Sequence, residues 1–75
     1  MELKRDYKIN TDLLYGIIVA NGYTKANIAD YLGMSHRTFY QKMKIGKFDS
    51  DEIMAMIDLL HIKEPEPIFF PNIVT

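Results

Sequence analysis

Residues 24–43, TKANIADYLGMSHRTFYQKM, decide how the rest of the chain is arranged. They read as two short helices joined by a tight turn. Thr24 can cap the first helix through its hydroxyl. Ile28, Ala29 and Leu32 then give that helix one apolar stripe. Gly33 stands one place beyond Leu32, where a chain leaves a helix through a left-handed conformation that costs glycine no Cβ clash. Met34 plugs the turn, and Ser35 is a good cap for a second helix. Within that second helix Phe39 and Met43 are four apart and point one way, which leaves His36, Arg37, Tyr40, Gln41 and Lys44 outward. A small residue at Ala29 allows the helices to approach, and a short glycine-containing turn between them is helix-turn-helix geometry.

Upstream, Asn10 or Thr11 can cap a helix whose first turn holds Asp12. Leu13, Leu14, Ile17, Ile18 and Asn21 mark one broad face of it, and Gly22 ends it. Gly16 weakens that helix by ~1 kcal/mol relative to alanine, and a close helix crossing would account for it. Tyr15 and Val19 lie off the main face, placed either for partial exposure or for contact with something other than this chain. Residues 1–9 have no helical period, and their loose alternation fits a short strand or an arm.

Downstream, Ile45-Gly46-Lys47 reads as a loop, and Asp49 with Glu52 three residues later forms a capping box flanked by Phe48 and Ile53. Ile53, Met56, Ile57 and Leu60 supply the core face of the following helix. Met54 and Leu59 fall outside that stripe and, with Ile68, Phe69 and Phe70, are candidate partner or dimer contacts; surplus methionine at a surface marks interfaces. Packing beneath the C-terminal tail is the alternative for Met54 and Leu59. Glu64-Pro65-Glu66-Pro67 stops the helix. The apolar tail after it is expected to be extended, as a short strand or as a segment docked on the core or on a second copy. The fold expected is all-α: a compact bundle of four to five short helices containing a helix-turn-helix, one domain over residues 1–75, with its core in about 10–62 and a tail in 64–75.

Composition narrows the chemistry. Seventy-five residues form one small domain that buries roughly 60% of its unfolded surface, so its margin is thin. With no cysteine, disulfides and thiolate metal sites are excluded. His36 and His61 each lack a second ligand at i+3 or i+4, so no metal and no cofactor are expected. There is no nucleophile elbow, glycine-rich phosphate loop or Ser–His–Asp pattern, and the chain reads as non-enzymatic. No apolar run reaches the ~18 residues of a membrane span, and the first ten residues are too charged for a signal peptide, which points to the cytoplasm.

The net charge of −1 speaks against a nucleic-acid partner until it is divided along the chain. Residues 1–24 balance. Residues 25–47 carry Lys25, Arg37, Lys42, Lys44 and Lys47 against Asp30, a charge of +4, and residues 48–75 carry −5. The positive block coincides with the helix-turn-helix, as an electrostatic footprint for phosphates would. A helix of this kind fits the major groove with its N-terminal residues at base edges. Arg37 can bond guanine and Gln41 adenine, each through two hydrogen bonds. Ser35 and His36 lie at the helix start, and Tyr40 reaches either a base or a phosphate. The phosphate set is Thr24, Lys25, Lys44 and Lys47, with Thr38, which can instead satisfy a carbonyl.

Residues 22–48, GYTKANIADYLGMSHRTFYQKMKIGKF, followed by DSDEIMAMIDLL, resemble the helix-turn-helix family of phage Cro proteins and lambda-type repressors, particularly short regulators of Gram-positive phages and bacteria. The resemblance runs over about two-thirds of the chain. It implies a bundle of four or five helices that binds double-stranded operator DNA in a bacterial host, usually as a homodimer on a near-palindromic site. By motif position it makes Gly33 the turn glycine, Ala29 the small first-helix residue, and Ser35, His36, Arg37, Tyr40 and Gln41 the base-reading face. Lys25 departs from the polar residue, commonly glutamine, found at its position. A second expectation is an interaction module that keeps the fold but binds a regulatory protein, such as an antirepressor or an antitoxin-like partner.

Overall fold

Three side-chain oxygens set where the first three helices begin. The Asn10 amide oxygen accepts the Leu13 N–H at 3.1 Å, the Thr24 hydroxyl accepts the Asn27 N–H at 3.1 Å, and the Ser35 hydroxyl accepts the Thr38 N–H at 3.0 Å. Each satisfies one of the amides that a helix start leaves without an intrahelical partner. The computed structural model describes residues 8–71. Over those residues the fold is all-α, with α1 at Thr11–Ala20, α2 at Lys25–Leu32, α3 at His36–Ile45, α4 at Ser50–Leu60 and α5 at Glu66–Phe69.

At the α2 start the cap is reciprocal, because the Thr24 N–H donates to the Asn27 side chain at 2.9 Å. The start of α4 uses Glu52, whose carboxylate accepts the Asp49 N–H at 2.8 Å. The turn between α2 and α3 depends on Gly33 at φ 74°, after which the Met34 N–H reaches back to the Ala29 carbonyl at 3.1 Å. Helix α3 ends at Gly46, also left-handed at φ 83°. A side chain there would be strained by that φ, and its Cβ would rest 3.5 Å from the Ile9 backbone.

Each helix places two residues in one core: Leu14 and Ile18, Ile28 and Ala29, Phe39 and Met43, Met56 and Leu60, Ile68 and Phe69. Helices α2 and α3 pack on each other, α4 packs on α2, and α5 packs on α1. Phe39 lies 5.5 Å from Phe48, ring centre to ring centre. The chain enters this core through Ile9, whose N–H donates to the Gly46 carbonyl at 2.9 Å. The Asn10 N–H donates to the Ile68 carbonyl at 2.7 Å. The two residues before α1 are thus tied, one to the end of α3 and the other to α5.

Three expectations change. Residues 66–69 form a helical turn, with Pro67 in its first turn where a missing N–H costs nothing, rather than an extended tail or a strand. Ile68 and Phe69 follow the expected docking on the core and so drop out of the candidate partner contacts: two large side chains this close to α1 gain more by filling its apolar face than by waiting for a second chain. Gly16 has no crossing partner among the described residues, for a Cβ placed there meets none of them within 4 Å. The strand-or-arm expectation for residues 1–7, and whatever follows residue 71, lie outside the described residues. Among the described residues no helix is long and apolar enough to cross a membrane.

Candidate nucleic-acid interface

The outer face of α3 follows from the inner one. With Phe39 and Met43 buried, a turn of 3.6 residues puts Tyr40, Lys44, Arg37 and Gln41 within an arc of roughly 100° on the opposite side. All four are exposed. Helix α3 has ten residues and so a length of about 15 Å, and its cylinder of about 10–12 Å matches a major groove about 12 Å wide.

Ser35 and Thr38 are partly occupied within the chain. Besides accepting the Thr38 N–H, the Ser35 hydroxyl donates to the Thr38 hydroxyl at 2.9 Å, so both side chains first serve the helix start. His36 is exposed, but its Nε2 lies 3.0 Å from an Asp30 carboxylate oxygen, a contact that needs a proton on Nε2. Asp30 thereby holds the imidazole against α2. A base or phosphate reached by this ring would compete with that carboxylate, while the Arg37 and Gln41 side chains carry no such pairing among the described residues.

The cations of the basic segment separate into two groups. Lys42 points away from the outer face, and its ammonium donates to both carboxylate oxygens of Glu52 at 2.9 Å, with both side chains largely covered. The hydrogen bond it donates to Glu52 holds the Lys42 pKa above its ordinary value against the opposing effect of desolvation. Lys42 is therefore a strut between α3 and α4, and it leaves the electrostatic footprint. Lys25 stays in it. From the first position of α2 its ammonium lies 4.6 Å from the ring centre of Tyr15 and 5.8 Å from that of Tyr40. Lys25, Tyr40 and Lys44 line one shallow cleft of about 210 Å³, so the start of α2 and the outer face of α3 share a surface. Thr24 and Lys47 are exposed at the two ends of the motif.

The expected interface residues do not form one patch. Beyond the burial of Ile68 and Phe69, Leu59 packs against the core. Met54, 63% exposed, is five residues from Leu59 and so about 140° away around α4. Phe70, 38% exposed, faces a separate depression beside Phe48 and Ile53. Tyr15 joins this surface from α1, where the sequence marks it only as an aromatic residue off the core stripe; its neighbours, on α2 and α3, are set by packing. Among the described residues no group of three His, Asp or Glu side chains gathers as a metal site would require.

Comparison with protein-family models, with characterised proteins and with solved structures finds nothing that matches this chain.

Proposed function

We propose that the chain is a sequence-specific DNA-binding regulator that occupies operator DNA through α3, in the manner of a small phage repressor or Cro-like switch protein, as two copies on a near-palindromic site. One observation carries this reading: Arg37, Gln41 and Lys44 stand exposed on one arc of a helix fixed beneath by Phe39 and Met43, with Lys25 on the same surface. A guanidinium and a carboxamide at i and i+4 are the two side chains best suited to paired hydrogen bonds with guanine and adenine. The flanking ammonium groups suit phosphates, which fix position without reading sequence. The reading needs no catalytic group, metal or cofactor, and its action is to exclude polymerase from the occupied site.

Selection of bound duplexes from a random pool tests it. The expected result is a recurring short sequence whose log affinity falls linearly with log salt. No enrichment, or affinity that ignores salt, refutes it. A second reading, a module that binds another protein, draws on Leu13, Val19 and Met54, which leave apolar surface exposed at 41%, 51% and 63%. Under that reading those side chains, and not Arg37 and Gln41, govern binding.

A further inference from the structure

Helix α1 has an unusual composition for a surface helix. Its sequence TDLLYGIIVA holds one charge, and its outer side carries Tyr15, Gly16, Val19 and Ala20, all exposed. Tyr15 is the only residue of that side with an aromatic face, and Lys25 of α2 sits over it. The same ammonium lies 5.8 Å from the centre of the Tyr40 ring of α3. A lysine at the first position of a helix otherwise has a flexible four-carbon stem in water and many rotamers. Here two rings from two different helices surround its charge.

We propose that Tyr15 is a positioning residue of the DNA-facing surface: with Tyr40 it holds the Lys25 ammonium at the cleft beside Lys44, set to receive a phosphodiester of the DNA backbone. This rests on the DNA-binding reading and names a contact within it. A ring face attracts a cation through its quadrupole, so the rings restrict Lys25 without neutralising it, as a carboxylate would. The contrast with Lys42 makes the point within one protein. Lys42 is paired with the Glu52 carboxylate, whereas Lys25 is held against ring faces before any ligand arrives. Ordering that is already complete does not have to be supplied by binding. Both tyrosines line the cleft with Lys25 and Lys44, so two ammonium groups are offered together. Asp12 also lines that cleft, as its one acidic side chain.

The test has two arms. In the free protein, ring currents should shift the Lys25 side-chain methylene resonances upfield. Tyr15→Phe should keep that shift, and Tyr15→Leu should lose most of it, with the fold checked by circular dichroism. In the second arm, binding is measured to a duplex carrying the selected sequence and to a scrambled one. Tyr15→Leu should weaken both alike by about two- to five-fold, the range set by an exposed cation–π contact, and should have no effect when Lys25→Met is already present. Tyr15→Phe should restore most of the loss. Losses from Tyr15→Leu and Lys25→Met that simply add, or an unshifted Lys25 in the wild-type protein, overturn the positioning role while leaving DNA binding intact. If the wild-type chain binds neither duplex, the DNA reading fails and this proposal with it, even where the ring-current shift is present.

Discussion

Phe69 and Phe70 are adjacent in the chain and should differ sharply when each is replaced by alanine. Phe69 is 1% exposed and packs with Ile68 in the common core; Phe70 is 38% exposed. Truncating a fully buried phenylalanine costs about 3–5 kcal/mol, from lost transfer free energy and from the cavity left behind. At ~0.05–0.15 kcal/mol per residue, 75 residues give a total stability of roughly 4–11 kcal/mol, so that loss removes much of it. Phe70→Ala should cost about 1 kcal/mol or less, as partly exposed positions do. The chain has no tryptophan, so urea unfolding is best followed by far-ultraviolet circular dichroism. With a slope near ~1 kcal/mol/M, Phe69→Ala should lower the midpoint by about 3 M or abolish the folded baseline, and Phe70→Ala by less than about 1 M. Neither midpoint should move when the protein concentration is raised tenfold, because the contacts lie within one chain. Equal shifts for the two variants, or a Phe69→Ala defect that shrinks with concentration, would show that the tail belongs to an interface and refute its place in the core.

Gly16→Ala should raise stability by ~1 kcal/mol and the melting temperature by about 4–8 °C, since the added methyl meets none of the described residues within 4 Å and alanine favours the helix; a lower melting temperature would mean that surface is covered. Glu52→Gln keeps an oxygen for the Asp49 N–H but removes the charge facing Lys42, and should cost about 1 kcal/mol at neutral pH. Because the folded-state pKa of Lys42 is raised from 10.5, its contribution is fully present below that value and lost as pH rises through the higher folded one. Urea midpoints between neutral and strongly alkaline pH should therefore fall further in the wild type than in Glu52→Gln, and parallel curves would contradict the strut. Arg37→Ala or Gln41→Ala should cost ~1–3 kcal/mol on the selected DNA and relax its base preference, while Lys44→Ala weakens all sequences alike and lowers the salt slope by about 1. Binding that survives all three unchanged excludes readout by α3.

The features legible in the sequence are those whose causes are local. Asn10, Thr24, Ser35 and Asp49 stand three residues from the amide or side chain they meet, and that distance is the same wherever the helix ends up. Gly33 marks a left-handed exit because the steric cost it avoids is a property of one residue, and Gly46 takes the same conformation where the sequence shows only a loop. His61 takes the same conformation at the end of α4, at φ 53°, without any local signal to announce it. Core pairs such as Leu14 with Ile18 and Phe39 with Met43 repeat at four, so helical geometry alone aligns them.

Other features depend on how distant parts of the chain come together. Lys42 and Glu52 are ten residues apart and meet because the chain turns between α3 and α4, which takes a cation out of a block that looks uniformly basic in sequence. Lys25 lies between Tyr15 and Tyr40 only once three helices are assembled. Ile68 and Phe69 show an apolar tail in the sequence, yet whether such a tail covers its own core or another chain depends on whether α1 leaves a face open beside it; here it does, and α5 fills it. Short-range stereochemistry is carried by each residue and its near neighbours. The pairing of a charge, or the covering of an apolar face, is a competition among all the surfaces that folding brings within reach.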